Sequence, residues 1–438
     1  MHPARTVFAG FAAAAVVGAL LLELPISKAG PGGASPIEAF FTAVSALCVT
    51  GLTIVDTLTY WTVFGQVVIL CLIQLGGLGV MTFASVVGIA VVRRLSLRSQ
   101  LNTAAEVKSL GIGDLRSLVL SVVKISLIIE GVVALLLTIR FATEYEEPLG
   151  QALWLGVFHA VSSFNNAGFA LFSDNLMSFT TDPFILLPIC AAIILGGLGF
   201  PVIMQLRKHL RSPRLWTLNT RIVLWGTVVL LVLGAAFVII MEWNNPRTLG
   251  ALNWPDRILA GFAQSVQTRT AGFNNLDIGQ FDNATLLGMD ALMFIGGGPA
   301  GTAGGIKITT FAVLYFIMLA EIKGDVAVNV FGKRLSRGVH RQAIALILLA
   351  TALIAAGTMS LLVMTDYSLD QLLFEVISAF ATVGLSTGIT AQLPVAGQLI
   401  LILFMFIGRL GPITFAAALA LKARHPLYEL PKERPIIG

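Results

Sequence analysis

Two stretches carry residues whose types and spacing could do chemistry. Phe294–Lys307 reads FIGGGPAGTAGGIK, in which Gly296, Gly298 and Gly301 complete G-x-G-x-x-G, and Glu321 follows twenty residues on (321 − 301 = 20). Glycines so spaced let backbone approach a pyrophosphate at a helix N-terminus while the acid takes a ribose, which is dinucleotide chemistry. The second stretch is Gly408-Arg409-Leu410, an always-charged guanidinium inside an apolar run. Other chemistries find little support. Cys48, Cys71 and Cys190 sit in separate apolar segments without C-x-x-C spacing, and the 5 histidines form no H-x-x-x-H pair. Buried apolar thiols are the reading for the cysteines. Lys307 follows Ile306, and no G-K-[ST] of a phosphate-binding loop occurs.

The elements that must position these residues are membrane helices. Of 438 residues 56% are hydrophobic and 12% charged, against about 25% charged in soluble domains. Apolar runs such as Phe184–Met204 and Ile222–Met241 have bilayer-spanning length. Thr6–Leu22 follows Arg5 but has no small-residue cleavage site before Glu23-Leu24-Pro25, so it is expected to be a retained helix rather than a signal peptide.

Basic residues alternate with other connections. Arg93, Arg94, Arg98, Lys108 and Arg116 fill one connection. A second holds Arg207, Lys208, Arg211, Arg214 and Arg221, and a third Lys323, Lys333, Arg334, Arg337 and Arg341. Lys422, Arg424, Lys432 and Arg434 mark the C-terminus. Between these lie Glu144, Glu146 and Glu147 in one connection and Trp243–Arg257, anchored by Trp243 and Trp254, in another. The positive-inside rule then places the basic connections and both termini in the cytoplasm. The net charge of +5 reflects topology. The basic clusters lack interleaved aromatics, and no nucleic-acid partner is expected.

Four segments repeat: SALCVTGLT (Ser45–Thr53), SSFNNAGFA (Ser162–Ala170), QTRTAGFNN (Gln267–Asn275) and SAFATVGLS (Ser378–Ser386). Aligned on Gly51, Gly168, Gly272 and Gly384, they are spaced by 117, 104 and 112 residues (168 − 51, 272 − 168, 384 − 272). Each unit has a spanning helix, a short apolar segment leading to the glycine, and a second spanning helix. The short segments are Pro36–Cys48, Gly150–Phe164, Trp254–Val266 and Leu369–Ala381. At 1.5 Å per residue none crosses roughly 30 Å of hydrocarbon, so each should enter from outside and stop midway. The second spanning helices also repeat, with Gly76, Gly196, Gly296 and Gly408 falling 25, 28, 24 and 24 residues after the aligned glycines (76 − 51, 196 − 168, 296 − 272, 408 − 384). The units cover residues 1–94, 95–211 with a cytoplasmic linker, 212–323, and 324–438 with the C-terminal tail. The expected fold is an all-α polytopic membrane protein. Four M1–pore loop–M2 repeats surround a pseudo-fourfold axis, with eight spanning helices and four half-membrane pore helices.

This grammar moves the opening motif to another role. Gly296–Gly301 is the third slot of a fourfold pattern, and no alternating strand–helix units surround it. Irregular backbone at membrane depth is tolerated only when buried in protein or lining water. Four such segments on one axis would surround a dehydrated cation with carbonyls. The candidate filter is Val49-Thr50-Gly51, Asn166-Ala167-Gly168, Thr270-Ala271-Gly272 and Thr382-Val383-Gly384. Glycines that only pack helices closely are the simpler alternative, but four in register fit it poorly.

With these motifs the chain resembles, over nearly its whole length, the Trk/Ktr/HKT superfamily of potassium transporters, and most closely its Ktr-type membrane subunits. The resemblance implies channel-like, passive K⁺ flux without enzymatic activity or a bound cofactor. Glycine at all four filter positions accompanies K⁺ selectivity in this family, whereas serine in the first filter occurs in sodium-permeable plant members. It further implies a homodimer in the cell membrane, with one pore per subunit, resting on a cytosolic nucleotide-binding (RCK-type) regulatory ring. The first repeat starts the chain, without the two extra N-terminal helices of Trk-type subunits; a Trk-type subunit is the alternative within transport. Sodium activation recurs in the family, and no residue here demonstrates it. A flavin-linked oxidoreductase and a silent assembly component are the alternatives from other classes.

The resemblance also assigns a gate. The third M2 is expected to break after Ile295, with Gly296, Gly297, Gly298, Gly301, Thr302, Ala303, Gly304, Gly305 and Lys307 forming an intramembrane loop beneath the filter. Arg409 takes the place of a pore-facing arginine just below that filter. A mid-membrane arginine costs about 2.5–3.5 kcal/mol on insertion scales and should face the pore or a carbonyl. Asp56, Asp174 and Asp277 follow their glycines by five or six residues (56 − 51, 174 − 168, 277 − 272) and could form an acidic outer vestibule or simply make turns. Lys124 and Glu130, at i,i+6, lie on roughly opposite helix faces. His159 and Glu375 lie in pore helices, where satisfied hydrogen bonds are expected.

Overall fold

A computed structural model describes residues 3–93 and 115–411, with side chains from 8–79 and 119–411. The basic cluster from Arg94 to Lys108, the C-terminal basic residues and the linker boundary at residue 95 lie outside the described residues. Each repeat begins with a long apolar helix: α1 (Pro3–Glu23), α5 (Leu115–Thr143), α9 (Leu218–Glu242) and α13 (Arg337–Met364). Short helices, the candidate pore helices, follow: α2 (Pro36–Leu47), α6 (Leu149–Phe164), α10 (Trp254–Thr268) and α14 (Leu369–Phe380). Their bounds agree with the short segments expected from sequence to within two residues at each end. With 12 to 16 residues they are about 18–24 Å long.

Local chemistry starts them sharply. Ser35 accepts from Glu38 N while Glu38 Oε2 accepts from Ser35 N at 2.9 Å, and Pro36 takes the first helical position. Ser368 and Gln371 form the same reciprocal cap on α14. Such caps satisfy helix-start N–H groups that hydrocarbon cannot.

The returning helices differ among repeats. In repeat 1, α4 (Val63–Arg93) is continuous, after a short helical turn α3 (Thr57–Tyr60). In repeat 2 the run Phe184–Met204 is not one straight span. It divides into α7 (Pro183–Leu198) and α8 (Phe200–His209), bent by 98°. Gly199 sits at the bend with φ 88° and ψ 142°, and Pro201 lacks the N–H needed to continue the helix. In repeat 3, α11 (Asn283–Phe294) and α12 (Ile308–Lys323) are separated by 295–307, the break expected there. In repeat 4, α15 (Val395–Leu410) ends at Gly411, φ 86°.

Among the described residues, three helices are long and apolar enough to cross a membrane, or four if the bent pair counts as one span. The expected eight are thus met only in part by length. The apolar portions of α1, α4 and α15 within the described side chains are shorter, and repeats 2 and 3 have broken M2 helices. A hairpin of β1 (Asn329–Val330) and β2 (Lys333–Arg334) precedes α13.

Candidate functional site

Each pore helix ends four residues before its glycine (51 − 47, 168 − 164, 272 − 268, 384 − 380). The backbone then does the same thing four times. Val49, Asn166, Thr270 and Thr382 have φ of 55°, 60°, 63° and 49°, and Gly51, Gly168, Gly272 and Gly384 have 93°, 70°, 74° and 96°, while the residues between them have no positive φ. In an ordinary strand successive carbonyls alternate sides; alternation of φ sign turns them toward one side. Positive φ is unfavourable for β-branched residues, so Val49, Thr270 and Thr382 are held there by their surroundings. Thr50, Thr270 and Thr382 hydroxyls are buried with no partner.

The four segments close into a ring. A Cβ on Gly51 would meet the Ala167 carbonyl oxygen, one on Gly168 that of Ala271, one on Gly272 that of Val383, and one on Gly384 that of Thr50, all within 3.0 Å. Each glycine therefore abuts the carbonyl of the residue preceding the next repeat's glycine, in the cyclic order 1-2-3-4-1. Only hydrogen can occupy that side of the Cα.

Serines fix the segments to their helices. Thr50 N donates to Ser45 O at 2.8 Å, Ala167 N to Ser162 O at 2.7 Å and Val383 N to Ser378 O at 2.8 Å. Ser45 and Ser378 hydroxyls accept from Gly51 N (3.2 Å) and Gly384 N (3.0 Å). Ser45 and Ser162 hydroxyls donate to Leu52 O (2.6 Å) and Phe169 O (2.7 Å). Repeat 3 has Val266 at this position, and Ala271 N donates to Gln267 O at 3.1 Å instead.

Beneath the ring lies the loop 295–307. Gly296 N donates to Ile306 O (2.8 Å), Gly298 N to Gly197 O (2.7 Å), Gly301 N to Gly298 O (3.3 Å) and Thr302 N to Gly196 O (3.2 Å). The N–H groups that would cradle a pyrophosphate are thus spent on protein carbonyls, which argues against the dinucleotide reading. Thr302 Oγ1 lies 3.0 Å from Asn166 Oδ1 and 3.2 Å from Phe164 O, with one hydrogen to share between them, and joins the loop to the second candidate filter segment. Gly304 packs against the Thr382 hydroxyl of the fourth. Arg409, 4% exposed, donates to Thr302 O and to Gly76 O, the latter at 3.0 Å. Lys307 Nζ donates to Ala303 O at 2.5 Å and Gly304 O at 3.4 Å.

Most of the loop glycines serve close approach. A Cβ on Gly296, Gly297, Gly298 or Gly304 would press on Gly304 O, Gly197 O, Leu198 O or Thr382 Oγ1. In the other repeats the M2 glycine admits the last carbonyl of the pore helix: Gly76 faces Leu47 O, Gly196 Phe164 O and Gly408 Phe380 O. In repeat 3 the loop itself occupies that place.

Residues 18–426 match the family model described as TrkH, a cation transport protein. The chain belongs to the TrkH family of cation transport proteins. It is 40% identical over 418 residues to the Ktr system potassium uptake protein B of Bacillus subtilis, covering 95% of this chain and 93% of that one. Its identity to the Ktr system potassium uptake protein B of Vibrio alginolyticus is 38%, over 99% and 94% of the two chains. It is also 34% identical to the potassium/sodium uptake protein NtpJ of Enterococcus hirae, over 100% and 98%. The crystal structure of the potassium transporter TrkH from Vibrio parahaemolyticus superposes with a TM-score of 0.75 at 17% identity, over 95% of this chain and 84% of that one, and shows the same fold. Membership and the apolar helices make this a multi-pass membrane protein.

Above the ring of this TrkH-family chain is an open cavity of about 290 Å³ lined by Gly51, Gly168, Gly384, Asp56 and Asp174, among others. Asp277 lies outside its lining. All three aspartates make local turns as well. Asp56 accepts from Leu58 N (2.8 Å) and Thr59 N (3.2 Å), Asp174 from Ser178 N (2.8 Å), and Asp277 from Gly279 N (3.0 Å).

Two braces went unrecognised as a pair in sequence. His159 and Glu375 both stand nine residues before their glycines (168 − 159, 384 − 375). His159 Nε2 accepts from Leu171 N at 3.2 Å, and Glu375 Oε1 from Thr387 N at 2.9 Å, each N–H lying three residues past the glycine (171 − 168, 387 − 384). The Nδ1 of His159 lies 2.8 Å from Leu155 O, which sets the tautomer with hydrogen on Nδ1. Glu375 also accepts from Ser386 Oγ (2.6 Å) and Thr390 Oγ1 (2.7 Å). Repeats 1 and 3 have Thr42 and Ala263 there (51 − 9, 272 − 9), so the ring is braced in alternate repeats.

Glu130 finds its partners away from Lys124. Its carboxylate accepts from Gln74 Nε2 (3.1 Å) and from Nδ2 of Asn165 (3.2 Å), the residue before the second candidate filter segment. Serine six residues before the glycine (51 − 45, 168 − 162, 384 − 378) was a signal available in the aligned repeats. The Gln74–Glu130–Asn165 contact joins three distant segments and had no such signal.

Proposed function

We propose that this chain is the K⁺-translocating membrane subunit of a Ktr-type uptake system, conducting cations passively through the ring of Gly51, Gly168, Gly272 and Gly384. The observation that carries the reading is the cyclic closure of four segments whose alternating φ turns carbonyls toward one side. Such an array can replace the hydration shell of K⁺. The kinship with Ktr system potassium uptake proteins over nearly full length supports K⁺ as the substrate. Sodium is the second ion to measure, because NtpJ is named for both.

In this reading the loop 295–307 is the gate, tied shut beneath the ring by Thr302, Lys307 and Arg409. Both termini and the basic connections face the cytoplasm. The subunit pairs with a second copy and docks on a cytosolic nucleotide-binding ring; the naming of its relatives as parts of a Ktr system supports partner subunits. The flavin-linked alternative is disfavoured by the occupied N–H groups of the glycine run.

Complementation of a K⁺-uptake-deficient bacterium, with and without a co-expressed regulatory subunit, tests the proposal. Growth at limiting K⁺ is expected, together with K⁺ flux in proteoliposomes. A folded protein that passes no K⁺ in either setting overturns it.

A further inference from the structure

Arg269 caps α10 immediately before the third filter segment and is 8% exposed. Its Nε has no hydrogen-bond partner, and it forms no ion pair among the described residues. A guanidinium cannot shed its proton in a protein, so this is a buried positive charge without a counter-charge. It borders a cavity of about 10 Å³ shared with Asn166, Thr227, Gly197 and Gly297 and walled otherwise by the aliphatic Ile193, Ile194, Leu231 and Val266. Asn166, 1% exposed, contributes a second orphan donor: its Nδ2 has no acceptor, while its Oδ1 accepts from Thr302. The Gly197 carbonyl already accepts from Gly298 N at 2.7 Å. Two residues with an unpartnered donor, one of them cationic, thus border a space for a single water-sized particle. Burial of a charge is strongly unfavourable unless it is paired.

We propose that this cavity is a binding site for one monatomic anion, chloride under ordinary conditions, held by Arg269 Nε and Asn166 Nδ2 behind the ring. The bound anion would cancel a fixed positive charge that otherwise adjoins Thr270 and opposes any cation in the ring. That consequence rests on the cation-conduction reading; the site itself does not.

The test is anomalous diffraction at the bromine edge from crystals of the full-length protein soaked in sodium bromide. A peak is expected within hydrogen-bond reach of Arg269 Nε and Asn166 Nδ2, absent in Arg269→Gln. Should that variant not accumulate, the wild-type peak must fade when chloride is added and persist when the larger gluconate is added instead. In solution, Tm should rise by several degrees in bromide or chloride over gluconate at equal ionic strength. No peak, a peak that survives Arg269→Gln, or equal Tm in all three salts overturns the proposal, with water then filling the cavity. Failure to transport K⁺ in cells would count against the transport reading and leave these measurements untouched.

Discussion

Arg409 donates to the main-chain carbonyl of Thr302, 107 residues earlier in the chain, and with its other terminal nitrogen to Gly76 O. One side chain of repeat 4 thereby clasps the loop of repeat 3 against the M2 helix of repeat 1, directly under the ring. A charge so placed also repels a cation, by about 4 kcal/mol at 4 Å and an effective dielectric of 20.

Arg409→Ala removes both the clasp and the charge. K⁺ flux in proteoliposomes, normalised to folded protein, should rise by about tenfold, the effect of roughly 1.4 kcal/mol of barrier. Deletion of Gly301–Gly304 should also raise flux, and the two changes should not add because they act on one barrier. Slower flux in both single variants at normal protein levels would sink the gate.

Gly51→Ser should weaken discrimination between K⁺ and Na⁺ while the protein still folds. Its backbone has φ 93° and its Cβ would sit 2.5 Å from Ala167 O, so the second segment must retreat. The readout is the ratio of K⁺ to Na⁺ uptake, and an unchanged ratio would remove Gly51 from the filter.

Glu375→Val leaves Thr387 N and one of the Ser386 and Thr390 hydroxyls without an acceptor, since those two hydroxyls lie 2.9 Å apart and one can donate to the other, at about 1–3 kcal/mol for each group left unpaired. Selectivity should fall more than total flux, and Glu375→Gln should recover part of it. Thr42→Val, at the same register in repeat 1, deletes a hydroxyl that has no partner and should change neither. Equal behaviour of the two valine variants would show that the brace has no bearing on the filter.

Asp56→Asn with Asp174→Asn retains acceptors for the capped N–H groups but removes two charges from the outer cavity. K⁺ uptake should drop at low ionic strength and recover above about 0.1 M salt, where the screening length is about 10 Å. Asp277→Asn, outside the cavity lining, serves as the control. A loss that is the same at every salt concentration would point to damaged turns.

The repeated segments, the four short helices and the four glycines that meet in the ring were legible because each is written locally. Apolar run length, caps such as Ser35–Glu38, and glycine at a recurring spacing act within a dozen residues. The broken third M2 was legible too, from glycine density and its place in the repeat. The bend at Gly199 had a local signal in the proline two residues on, which run length alone overrode. Tertiary structure decided the rest. The contact of Gly384 with Thr50, the clasp of Arg409 on Thr302, the shared role of His159 and Glu375, and the seating of Glu130 against Asn165 each join groups whose meeting depends on how the repeats close around an axis. Hydropathy and propensity act along the chain, whereas close backbone approach and the pairing of buried polar groups exist only between segments already folded together. That is why the glycines of Gly296–Gly305 spell one motif in the sequence and answer to another in the fold.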